Sequence, residues 1–253
     1  MIKKHLRELR VKEKDLVKSI RDLVQKDDPT CEIAYIPNLM PNERLKYIFI
    51  TMEPSFGRWA KNSKDAEEKI QNGFRNFILS WEDFIFHYCI SEYLSRSYFI
   101  TDISKVAMKV ENANLWRDEI YPKWIEFLRE EIKIVGKNNC KVIFVGESVR
   151  NFLETRLQEC NVLKTILHYS GQAGRQRKEL PQKYPKEFQE FKEHLSSGMI
   201  LNFAEYFLKQ NDIPLKIRQW ILRKLNNSDV KLSESRRALM FTYYKEFQGI
   251  REN

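Results

Sequence analysis

Two rhythms of apolar residues alternate along the chain. Leu6, Leu9, Leu16, Ile20 and Leu23 stand at helical spacing with Lys and Arg between them, which predicts an amphipathic helix over residues 3–26 with a basic outer face. "KDDPT" ends it. Tyr47–Thr51 is then a short run of apolar, β-branched and aromatic residues, the pattern of an interior strand. A polar loop, "KNSKDAEEK", follows, and "FRNFILSWEDFIFHYCISEYL" (74–94) reads as an aromatic-rich helix. Tyr98–Thr101 is a second strand, and "LWRDEIYPKWIEFLREEIKIVGKNN" (115–139) is helical, with Pro122 inside it or marking a break. "CKVIFVG" (140–146) is the clearest strand, "ESVRNFLETRL" a helix directly behind it, and "VLKTILHYSG" (162–171) a fourth strand ending in His168.

Strands that alternate with helices predict an α/β fold, a mainly parallel central sheet flanked by helices. Residues 1–199 are expected to form this domain, N-terminal helix included. Residues 200–253, with "IPLKIRQWILRKLNNSDVKLSESRRALMFTYYKEF", form a basic helical C-terminal extension packed on it.

Charge sharpens this reading. Lys and Arg number 44 against 35 Asp and Glu, a net charge of +9. Such an excess suits a polyanionic partner, nucleic acid first; the plainer alternative is a generally Lys-rich composition. No apolar run approaches the ~18 residues of a membrane span, and "MIKKHLRELRVKEKDL" is no signal peptide, so a cytoplasmic protein with no membrane partner is expected. Cys31, Cys89, Cys140 and Cys160 form no C-x-x-C pair, so neither zinc nor an iron–sulfur cluster is indicated, and no cofactor or metal is expected. There is no Gly-rich phosphate loop of the G-x-x-x-x-G-K kind.

Each predicted strand meets a polar residue at its C-terminal end: Glu53, Asp102, Gly146 with Glu147, and His168. In open parallel sheets that edge is where ligands bind. From the residues alone, Glu53 is either a catalytic carboxylate or a glutamate at a helix N-terminus favoured by the dipole. Ser148 is either a phosphate ligand or an ordinary N-cap.

Order and spacing go further. Thr51-Met52-Glu53-Pro54-Ser55 after a strand, Ile100-Thr101-Asp102 at the end of the next, Asn139 to Gly146 as a third, and His168-Tyr169-Ser170-Gly171 at the close resemble the motifs of the uracil-DNA glycosylase superfamily over about residues 47–175. Glu53 stands where the most active members have Asp, Asp102 where the uracil-specific members have Asn, and Tyr169 where Pro is common. The resemblance implies a monofunctional DNA glycosylase acting on DNA as a monomer. Breaking an N-glycosidic bond builds positive charge on the sugar and negative charge on the leaving base. Glu53 is the implied stabiliser of the sugar cation and His168 the implied donor to the base. The base must be flipped into a pocket and stacked on a ring. Phe74 is the implied stacking residue, with Phe56, Phe77 and Trp59 as rivals; the alternative for each is an ordinary core position, above all for Phe77. Gln172 or Arg175 is the implied wedge, and Arg175, Arg177 and Lys178 are candidates for phosphates, unless they form a solvated basic loop.

Asp102 bears on base choice. An ionised carboxylate accepts hydrogen bonds and does not donate, so it suits the exocyclic amine of cytosine better than the O4 of uracil. The expected substrate is a modified cytosine, of the kind carried by some bacteriophages and hence a target for antiviral defence, or otherwise uracil. The alternative is a non-catalytic nucleic-acid-binding protein that keeps the fold.

Overall fold

The computed structural model describes residues 2–56, 59–169, 174–227 and 232–251. In chain order they form α1 (Ile2–Asp27), β1 (Ala34–Tyr35), β2 (Leu45–Thr51), α2 (Ser63–Gln71), α3 (Trp81–Tyr93), β3 (Tyr98–Asp102), β4 (Val106–Ala107), α4 (Val110–Val135), β5 (Gly136–Val145), α5 (Glu147–Leu153) and β6 (Val162–Ile166). A 3-10 turn (Gln176–Lys178) leads to α6 (Glu179–Lys183), α7 (Pro185–Glu193), α8 (Ser197–Gln210), α9 (Leu215–Asn226) and α10 (Glu234–Arg251). The chain divides into two compact units. The first is Met1–Asn76, Phe99–Phe144 and Ser148–Lys164; the second is Phe77–Tyr98, Val145–Glu147 and Thr165–Asn253. The stretch after position 200 is thus one part of a larger unit.

The first unit carries a mostly parallel four-stranded sheet, in the order β3-β2-β5-β6, flanked by helices. Strand residues alternate between faces. Ile48, Ile50, Val142 and Phe144 join one apolar cluster with Leu9 and Ile20 of α1, Trp124 and Leu128 of α4, and Leu153 of α5. Phe49 and Ile143, on the opposite face, are also fully buried. Burial on both faces is why these strands read as unbroken apolar runs. β1 and β4 form a separate antiparallel pair.

Several boundaries differ from the expectations. Residues 63–71 are a helix rather than a polar loop: Asn62 caps it, its side chain accepting from the Asp65 amide at 2.9 Å, and Asp65 pairs with Lys69 at 2.7 Å. The aromatic helix begins at Trp81, not Phe74, because Ser80 and Asp83 form a capping box there, and Phe77 sits at φ 60° in the preceding loop. Residues 136–139 belong to β5. Gly136 follows the end of α4, and a Cβ on it would lie 2.7 Å from the Ile132 carbonyl oxygen as well as 2.4 Å from Cys140 Sγ, a clash with fixed backbone that glycine avoids. The register slips between Leu45 and Tyr47 opposite this stretch, with Asn139 at φ 62°. Pro122 lies inside α4 on its exposed side, where solvent can hydrate the Asp118 carbonyl its missing N–H leaves behind.

In the second unit α3 is buried on nearly every side, from Phe84 to Ile90, and it packs against α8 and α10. His87 is held between the Tyr98 hydroxyl (2.8 Å from Nδ1) and the Phe77 carbonyl (3.1 Å from Nε2). Burial pushes its pKa down to about 3, so it is neutral and structural. No helix among the described residues is long and apolar enough to cross a membrane.

Candidate functional site

β2 and β3 continue side by side beyond their ends. Ile103 N–H donates to the Thr51 carbonyl (2.9 Å) and Ser104 N–H to that of Met52 (3.2 Å). Glu53 and Asp102 therefore stand at one edge of the sheet. Glu53 is gripped from α4. Arg117 forks onto it, Nη2 to Oε1 at 2.6 Å and Nε to Oε2 at 3.3 Å, and the Tyr121 hydroxyl donates to Oε2. Arg117 and Tyr121 are four residues apart, one turn of the same helix face. The helix-dipole alternative for Glu53 is not what is found, since the next helix begins only at Ser63.

Asp102 is 1% exposed. Thr51 Oγ1 donates to its Oδ1, and Asn76 Nδ2 donates to its Oδ2 at 2.7 Å. Both oxygens accept from protein donors. Burial pushes its pKa up to about 7. Lys105, Thr51 and Asn76 pull the other way, and the charge of Glu53 adds to the rise.

Behind Asp102 lies a buried charged network that the sequence reading missed. Lys105, wholly buried, donates to Thr101 Oγ1, to the Asp102 carbonyl (2.6 Å) and to Glu131 Oε2 (3.2 Å). Thr101 in turn donates to Glu131 (2.6 Å) and accepts from Asn38 Nδ2 (3.0 Å). On the α1 side, buried Glu13 accepts from Arg10 and from the Tyr35 hydroxyl (2.6 Å), and Arg10 also donates to the Asn38 carbonyl.

Three of the four candidate stacking residues come together in the first unit; the fourth, Phe77, is buried in the second unit, edge-on to Tyr169 at 6.5 Å. Phe74 is fully buried and stacks on Trp59 with centroids 4.7 Å apart, and Phe56 lies 6.5 Å from Trp59. Trp59 Nε1 donates to the Ser55 carbonyl (2.7 Å), tying this aromatic layer to the loop that carries Glu53. Ser148 is exposed in α5.

In the second unit, His168 stands two residues past the end of β6. Gly146 packs beneath it with φ 100°; a Cβ there would lie 3.2 Å from His168 Cβ. The imidazole stacks on Tyr169 (4.8 Å, 14°), and Tyr169 on Phe86 (5.2 Å). Burial, then the charge of Arg177, pushes His168 down to about 4, so the ring is neutral at pH 7. Arg177 differs from its expected role. It is 4% exposed and donates to the Tyr169 carbonyl and to Ser235 Oγ (3.2 Å), which anchors the segment after His168 to α10 instead of offering a cation to phosphate. Arg175 and Lys178 are exposed. Gln172 lies outside the described residues. Among the described residues no group of three or more His, Cys, Asp or Glu is placed to hold a metal ion. No family model matches the chain, and it matches no curated protein and no solved structure.

Proposed function

We propose that this protein is a DNA glycosylase of the uracil-DNA glycosylase kind, which displaces a base from DNA and hydrolyses its N-glycosidic bond. The observation that carries the reading is the pair of carboxyl residues, Glu53 and Asp102, at one edge of a parallel sheet, with the Phe56, Trp59 and Phe74 layer tied to the same loop. Water adds to C1′ of the sugar as the bond to the base breaks, and the base leaves with the bonding electrons. Glu53, fixed by the Arg117 fork and Tyr121, lends its charge to the sugar cation. A carboxylate that need not reorganise is the effective kind of electrostatic stabiliser. The resemblance assigns the leaving base to His168, which as a neutral imidazole has one N–H to give. Asp102 acts on base choice through Asn76, whose amide it orients. The substrate proposed is a modified cytosine, with a role in defence against phage, or otherwise uracil. DNA is the partner, and the protein acts as a monomer in the cytoplasm.

One observation favours a second reading, a binding protein without chemistry: the oxygens of both carboxyl groups are already engaged by neighbouring donors. Incubation with oligonucleotides bearing modified cytosines, cytosine or uracil, followed by alkaline cleavage, separates the two. Strand breaks with the wild type and none with Glu53→Gln support the glycosylase. Binding across the panel without breaks supports the second reading.

A further inference from the structure

Arg75 is a half-buried guanidinium between two residues already described, Phe74 and Asn76. Its Nη1 donates to the carbonyls of Phe74 (2.6 Å) and Ile70 (3.2 Å), at the end of α2. Its Nε and Nη2 donate to nothing among the described residues, and it forms no ion pair there. The titratable groups that face it are Arg10, which repels it, and the Tyr35 hydroxyl; no carboxylate is among them. The backbone explains the approach of the two arginines. Asn76 N–H donates to the Pro37 carbonyl (3.0 Å), while Arg10 Nη2 donates to the carbonyl of the next residue, Asn38. Arg10 is ion-paired with Glu13, and its donors are also taken up by the Tyr35 hydroxyl and the Asn38 carbonyl, so the vacant fork is that of Arg75.

A partly desolvated cation without a counter-charge is costly, and an arginine edge made of Nε and Nη2 matches two oxygens of one anion. We infer that Arg75 forms a binding subsite for a phosphate group at the C-terminal end of α2, one residue before the Asn76 that meets Asp102. Planar, bidentate donors with no competing carboxylate select a tetrahedral oxyanion over a simple halide. The subsite itself stands without the proposed function. It rests on that reading only for the source of the phosphate, a backbone phosphodiester next to the displaced base.

The test has two arms. Thermal unfolding of the full chain is followed as inorganic phosphate replaces chloride at constant ionic strength, for the wild type, Arg75→Gln, Arg75→Lys and the control Arg129→Gln, which alters an ion-paired arginine on α4. Expected are a saturable rise in Tm for the wild type and the control, and none for Arg75→Gln. Arg75→Lys, which keeps the charge and loses the fork, should bind phosphate several-fold more weakly. An equal response in wild type and Arg75→Gln, equal affinity in Arg75→Lys, or no response in the wild type overturns the subsite. In the second arm, the salt dependence of DNA affinity should flatten by about one unit of slope in Arg75→Gln. A lost phosphate response with an unchanged DNA slope leaves the subsite standing and counts against DNA as its source.

Discussion

Asp102→Asn should remove a pH dependence of stability that the wild type owes to one buried carboxyl group. In the folded chain the Asp102 carboxyl has its pKa raised to about 7 from an ordinary 3.8. Between those values the folded state holds a proton that the unfolded state releases. The stability this group contributes is therefore complete below pH ~4 and is lost as pH rises towards 7. At about 1.4 kcal/mol per unit, the wild type should lose about 3 kcal/mol from this group between pH 4.5 and 7.5. An amide does not titrate. In one orientation its NH2 meets Asn76 Nδ2, donor against donor; in the other it meets Thr51 Oγ1, whose hydroxyl must turn to accept and loses the carboxylate its proton was given to. Either mismatch costs about 1–3 kcal/mol at every pH. The variant should be the less stable chain at pH 4.5 and draw level with or pass the wild type by pH 7.5. Asp83, raised to about 6, and His87 and His168, lowered to about 3 and 4, titrate in both chains and cancel in the difference. Urea unfolding of the two chains at four pH values across this range measures it. A difference that stays constant within about 0.5 kcal/mol, well below the ~3 kcal/mol expected, would refute the account of Asp102 as a proton-holding buried group.

Three further outcomes are expected. Glu53→Gln should slow excision on the order of a hundredfold in single-turnover assays while DNA affinity stays within a few-fold, since it removes the charge and keeps the shape. Gly146→Ala should cost about 1–3 kcal/mol, because φ 100° suits glycine and the new Cβ would press on His168; urea unfolding and the His168 ring NMR signals report it. Lys105→Met should destabilise by about 3–5 kcal/mol by leaving Glu131 buried without its cation. Adding Glu131→Gln should recover part of that loss, and strict additivity of the two changes would show that they do not interact.

What the pattern of residues revealed, and what it hid, follows from burial. β2 and β5 were legible because both of their faces are covered, which leaves a run of apolar residues with nothing to interrupt it. α1 was legible for the opposite reason, since one side is wet and the 3.6-residue rhythm survives. α3 has no wet side, so its rhythm is lost and its aromatic run flows into the loop before it. The signal that marks its start is local, the Ser80–Asp83 capping box, and the same holds for α2 with Asn62 and Asp65. Composition misled at α2 because a helix that buries little more than Ala66 looks like a loop.

The candidate site was legible only where its residues end strands. Glu53 and Asp102 stood out as polar groups closing apolar runs, but nothing near them in sequence announces Arg117 or Tyr121, which arrive from a helix much further along the chain. The buried network did leave a trace. Leu9, Glu13, Val17 and Ile20 follow one stripe of α1, and Trp124, Leu128, Glu131 and Val135 one stripe of α4, with a glutamate at a core position in each. A carboxylate in that register must be desolvated when the helices pack, and it survives there only with a cation and hydroxyls to meet it. Two such glutamates on two helices that pack together therefore call for cations close by, and the half-buried Arg10 and the fully buried Lys105 fill that need. Lys105 also donates to the Asp102 carbonyl, so the network that compensates the glutamates fixes the strand end where the candidate chemistry sits.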